Sequence, residues 1–177
     1  MQSSCWGYCL MHKLIADLRR KQQIFHEDGA NVSMLRVVMA DGTCANVLYR
    51  LMRWFAEMKL SPLAYLCYQL NKLLNGCVIG IGADFGPGFV LMHPVGVVIN
   101  SKVRGENNIT LESGVVIGDE KGRSPVLGND IFIGAGAKVI GSVHIGNKVK
   151  VGANAVVTKS APESATMLGV PAKPYSR

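Results

Sequence analysis

Long apolar runs are missing from this 177-residue chain. No stretch approaches the ~20 apolar residues of a membrane span, so membrane insertion is excluded and a soluble protein is expected. Residues 1–10 are neither basic at the start nor followed by a long apolar run, which makes a poor signal peptide. They are expected to be loosely ordered, or to precede a true start at Met11. Cysteine is sparse and odd in number, with five residues at positions 5, 9, 44, 67 and 77 and no CxxC pair. That usage reads as a reduced, cytoplasmic protein. Cys5 and Cys9 find no downstream His or Cys at zinc spacing, so no metal site is expected. The net charge of +7 is not concentrated: Lys and Arg are spread along the chain without interleaved aromatics, which argues against a nucleic-acid partner and suits a phosphorylated cofactor.

What is present is apolar content, 49% of residues against 18% charged, enough for one packed domain or a domain with a helical appendage. Twenty glycines exceed ordinary usage and need a structural reason. Over residues 1–76 the apolar period is helical. It predicts helices from Leu14 to about Ile24, from Ala45 to Met58 and from Pro62 to Leu74. In the second, Val47, Leu48, Leu51, Trp54 and Phe55 form the apolar stripe, with Arg50, Arg53 and Glu57 on other faces. The third is expected to start on a Ser61 N-cap followed by Pro62, to end at Asn75-Gly76, and to bury a stripe of Leu63, Leu66, Leu70 and Leu74.

After Gly76 the period becomes six. Every sixth residue from Ile79 reads Phe85, Leu91, Val97, Val103, Ile109 and Val115, and the phase resumes with Leu127, Ile133, Val139, Ile145, Val151 and Val157. Only position 121 breaks it, inside the polar loop Asp119–Ser124, where one hexapeptide bulges outward. Glycines 80, 86, 128, 134, 146 and 152 follow the aliphatic positions and supply tight corners. One short strand and one corner per six residues make a triangular coil of three hexapeptides, each aliphatic residue stacking on its counterpart eighteen residues later. Residues 77–177 are therefore expected to form a left-handed parallel β-helix of about 4.5 coils with a C-terminal tail, a mainly β fold preceded by a small α-helical region.

Five segments carry a resemblance: Ala45–Trp54 with Asn71–Gly76, Gly88-Phe-Val-Leu-Met-His-Pro-Val-Gly96, and Ile133–Gly141 with Gly169-Val-Pro-Ala-Lys173. Over residues 14–174 the chain resembles the serine O-acetyltransferases among the hexapeptide acyltransferases. The resemblance implies transfer of acetyl from acetyl-CoA to the hydroxyl of L-serine or a close analogue in cysteine biosynthesis, in a homotrimer or a dimer of trimers. A sugar or polysaccharide precursor is the alternative acceptor. His93 matches the family's catalytic histidine, and an imidazole suits removal of a hydroxyl proton near neutral pH. His12, His26 and His144 match no such motif. By the same resemblance Gly118, Ala135 and Ala153 lie along the CoA groove between subunits, and Lys159 and Lys173 meet its phosphates. Arg123 faces the acceptor's carboxylate, while Glu27 or Asp28 faces its amine. Small residues at corners also serve simply to permit the turn.

The chain departs from the family at its acids. Met92 stands where the family has an aspartate, Val78 where it has the aspartate that orients the histidine, Ser101 for a glutamate and Ser124 for a histidine, and the loop is about four residues shorter. The group orienting His93 must come from elsewhere, with Glu106, Glu112, Asp84 or a backbone carbonyl as candidates. Two other readings of the coil are a zinc hydratase, which needs closely spaced histidines where His93 and His144 are fifty-one residues apart, and a scaffold that would have lost the base.

Overall fold

The computed structural model describes residues 3–175. Four helices come first: α1 (Ser3–Glu27), α2 (Met34–Met39), α3 (Thr43–Glu57) and α4 (Ser61–Asn75). Residues 3–10, read as loosely ordered, open α1, while residues 1 and 2 lie outside the described residues. The short α2 was not anticipated. Its signal was Ser33, whose hydroxyl accepts from the Arg36 N–H as an N-cap. The α4 cap falls on Leu60 rather than Ser61, with Pro62 in the first turn, and Gly76 closes the helix in the left-handed region at φ 58°.

The rest of the chain winds as a parallel solenoid. The first coil is β1 (Val78–Ile79), β2 (Asp84–Phe85) and β3 (Val90–Leu91), and the second is β4 (Val98–Ile99), β5 (Arg104–Gly105) and β6 (Ile109–Leu111). The third is β7 (Val116–Gly118), β8 (Val126–Leu127) and β9 (Ile131–Ile133), and the fourth is β10 (Lys138–Ile140), β11 (His144–Ile145) and β12 (Lys150–Val151). A fifth begins with β13 (Val156–Val157) and β14 (Thr166–Leu168), against which β15 (Lys173–Tyr175) folds back antiparallel. Every third strand pairs in register, giving three sheets led by β1, β2 and β3, the faces of the left-handed β-helix that the six-residue period predicts.

The repeat is not uniform, and its irregularity falls at a telling place. Val90 to Val98 spans eight residues, whereas the register equivalents Thr110 to Val116, Phe132 to Lys138 and Lys150 to Val156 each span six. The two extra residues lie in Met92–Gly96, the segment of His93. Val116 to Val126 spans ten where Val98 to Arg104 spans six, so the Asp119–Ser124 loop adds four more. Two and four make one hexapeptide, which is why the phase appears unbroken from Leu127 onward. Leu91 consequently stacks on Leu111 rather than Ile109. The slip was invisible because each face buries two positions per turn, so Val97 and Ile99, Ile109 and Leu111, and Val115 and Ile117 all point inward.

The helices cap the open end of this prism with polar faces. The last strand of the third sheet, β3, has an edge that no other strand covers, and unpaired backbone groups there must be satisfied by side chains. Asn46 does so: its amide donates to Phe89 O at 2.7 Å and its carbonyl accepts from Leu91 N at 2.9 Å. Arg50, expected away from the core, is 2% exposed and forms a two-armed pair with buried Asp17 at 2.8 and 2.9 Å. The same guanidinium donates to Phe85 O and Gly86 O, and Asp17 Oδ1 also accepts from Gly88 N and Phe89 N. The buried face of α3 is thus mixed, with Thr43, Asn46 and Arg50 beside Ala45, Tyr49 and Met52, while Val47, Leu48, Leu51, Trp54 and Phe55 are only half-buried. Likewise α4 buries Ala64, Cys67 and Asn71, while Leu63, Leu66 and Leu74 of its expected core stripe are exposed.

Candidate active site

His93 follows the inward Leu91 by two residues and sits exposed on the edge between the third sheet and the first. The two extra residues of Met92–Gly96 push this corner outward from the prism. The register that pairs Leu91 with Leu111, Ile133 and Val151 in turn carries His93 onto Ser113, Ala135 and Ala153, so two of the proposed CoA-contact positions lie on the edge that carries the imidazole. Gly96, Gly114 and Gly136 stack along the same edge with positive φ, keeping it narrow and its backbone approachable.

The group that meets the imidazole is Asp41, not the expected Glu106, Glu112, Asp84 or a backbone carbonyl. Asp41 Oδ2 lies 2.9 Å from His93 Nδ1, and its Oδ1 accepts from Gly42 N at 2.9 Å. A carboxylate only accepts, so in the neutral ring Nδ1 carries the proton and Nε2 keeps its lone pair. Of the expected candidates, Asp84 lies 3.8 Å from Lys13 and 3.7 Å from Arg53, and Glu112 is in register with Met92 on the outer face of the third sheet. Asp41 was missed because it lies fifty-two residues upstream, in the turn between α2 and α3. The Asp41-Gly42 dipeptide was the available signal for that turn. Gly42 adopts φ 78°, and a Cβ on it would overlap the Leu91 carbonyl, so only glycine lets the turn close on the end of β3.

The remaining residues are placed as follows. Glu27 and Asp28, at the end of α1, line a cavity of about 540 Å³ between that helix and the outer face of the third sheet, with Arg20, Met92, Glu112 and Lys150 on its walls. Arg123 lies in the Asp119–Ser124 loop, where its backbone pairs with Glu120, and is exposed at the edge between the first and second sheets. Within one chain it is therefore at a different corner from His93. Gly118 ends β7 on the first sheet, beside that loop. Lys159 follows β13 and Lys173 opens β15, both exposed at the far end of the solenoid. His144 lies in β11 of the second sheet, away from the His93 edge.

The family model for bacterial transferase hexapeptides (six repeats) matches residues 124–159. The serine acetyltransferase of Helicobacter pylori is 34% identical over 161 residues, covering 88% of this chain and 94% of that protein. The chain belongs to the serine acetyltransferase family. The serine acetyltransferase of Synechococcus elongatus is also 34% identical, over 165 residues and 90% of this chain, which spans only 66% of that protein's length. A serine acetyltransferase solved in complex with CoA superposes with a TM-score of 0.85 at 28% identity, covering 94% of this chain and 69% of that one. Val78, where the resemblance expects an aspartate, sits in the first strand with no carboxylate to offer, and the carboxylate that meets His93 is Asp41 of the helical region.

Proposed function

We propose that the protein is an acetyl-CoA-dependent serine O-acetyltransferase in which His93 is the general base. The observation that carries this reading is the His93–Asp41 pair on the edge shared with Ala135 and Ala153. His93 Nε2 takes the proton of the serine hydroxyl as its oxygen attacks the thioester carbonyl. The tetrahedral intermediate then expels CoA thiolate, which takes that proton back from the imidazolium, and Asp41 stabilises the charged ring between the two steps. Three coils separate His93 from Ala153, about 14 Å at the ~4.8 Å spacing of neighbouring strands, which suits an extended pantetheine arm running toward Lys159 and Lys173.

The acceptor reading draws on the cavity beside Met92. It presents carboxylates from Glu27, Asp28 and Glu112 together with the cations of Arg20 and Lys150, walls that suit a zwitterion better than a neutral sugar. Arg123, held at another corner, reaches such a site only from a neighbouring chain, which supports a homotrimer with sites at its interfaces. The exposed Leu63, Leu66, Leu73 and Leu74 of α4 offer an apolar face through which two trimers could pair. The helical region 1–76 then supplies the base's carboxylate and the β-helix 77–177 the base and the CoA groove, in a cytoplasmic enzyme of cysteine biosynthesis. An acceptor panel with purified protein and acetyl-CoA, read as thiol release, tests the substrate. L-serine should give the highest kcat/KM, and a sugar that outpaces it would overturn the assignment.

A further inference from the structure

Beneath the imidazole–carboxylate pair lies a group with no role in the chemistry described so far. Lys21 of α1 is only 2% exposed. Its ammonium donates to the backbone carbonyl of Asp41, to Thr43 Oγ1 at 3.3 Å and to Leu91 O at 3.1 Å. Three donors thus meet three acceptors, on the α2–α3 turn, at the start of α3 and at the end of β3. A buried ammonium is tolerated only when every donor is used, and an apolar side chain of similar length would fill the space without that cost. The charge therefore needs a reason.

That reason lies in what the acceptors carry. Asp41 holds the carboxylate, and Leu91 leads to His93 two residues on. Both halves of the contact are anchored by one nitrogen, and the Gly42 turn closes on the same Leu91 carbonyl. We propose that Lys21 is a positioning residue for the base, clamping the Asp41 turn to the end of β3 so that the carboxylate stays within reach of His93 Nδ1. The proposal rests on His93 being the base of acetyl transfer, but the clamp itself is geometry that can be measured without turnover. The carboxylates of Asp41 and Glu112 act on Lys21, yet burial outweighs them and pushes the ammonium down to about 8. Above that pH a neutral amine has two N–H groups for three acceptors, so one strut of the clamp is lost.

The test is NMR of ¹⁵N-histidine in the full chain, which shows which ring nitrogen of His93 is protonated when the ring is neutral. The wild type should show Nδ1–H. In Lys21→Met the population should move toward Nε2–H, matching Asp41→Asn, and the double variant should move no further. The kcat for acetyl transfer should fall in parallel while KM for acetyl-CoA holds. Lys21→Gln, which keeps two N–H donors of the original three on a shorter stem, should give an intermediate tautomer population and serves if the Met variant folds poorly. A wild-type tautomer in both Lys21 variants, with only a lower melting temperature, would assign Lys21 a purely structural role and overturn the proposal. Losses that add in the double variant would do the same. A wild type that shows Nδ1–H but does not acetylate serine would refute the functional reading and leave the clamp standing.

Discussion

At the scale of single residues, the His93–Asp41 contact is an exposed pair, with side chains 58% and 60% accessible. Such pairs contribute only about 0–1 kcal/mol to folding. Its value is therefore orientational. Asp41→Asn should leave the melting temperature nearly unchanged while lowering kcat by about tenfold or more, a loss of ~1.4 kcal/mol or greater in transition-state stabilisation. Enzyme assays beside thermal melts separate the two effects. Lys21 is the reverse case, a buried charge whose titration is linked to folding. With the folded ammonium near 8 against the ordinary 10.5, the unfolded chain binds more protons between those values, so this site's contribution to stability rises with pH across the window. Denaturant titrations of wild type and Lys21→Met should show a stability difference, wild type minus variant, that climbs from pH 8 to 10.5. A flat difference would mean that Lys21 titrates normally.

At the scale of elements, the helices behave as a lid whose polar side seals the solenoid. The Asp17–Arg50 pair joins α1 and α3 to the first coil through both charged groups and four backbone partners. Asp17→Asn would strand a buried guanidinium, and denaturation should show a loss of about 3–5 kcal/mol. The six-residue period made the coil legible, because the inward positions are nearly all aliphatic and the two insertions together restore the phase. The helices were less legible for the opposite reason. Apolar periodicity identifies a buried face only when the neighbour is apolar, and part of the neighbour here is a row of strand-end carbonyls and N–H groups, so Asn46, Arg50 and Lys21 went inside; α4 packs chiefly on α3 through Ala64, Cys67 and Asn71, which leaves Leu63, Leu66 and Leu74 out. His93 was readable from its motif. Asp41 was not, since the contact crosses from a turn to a corner that only the folded chain brings together.

At the scale of the whole molecule, the site residues are divided between corners of the prism. His93 lies between the third and first sheets and Arg123 between the first and second. If each site draws on two chains, co-expressed His93→Ala and Arg123→Ala subunits should regain activity that neither has alone, because mixed trimers contain some intact sites. Sedimentation of the wild type should give three or six chains. No complementation in confirmed mixed trimers would remove Arg123 from the site that His93 serves. The proposed acetyl transfer rests above all on the imidazole at the corner of the first coil. The most direct measurement is kcat/KM for L-serine and acetyl-CoA in His93→Ala against wild type, with O-acetylserine identified by mass. A fall of about a hundredfold to ten-thousandfold in a variant that melts like wild type is the predicted result, and undiminished acetyl transfer by that variant would contradict it.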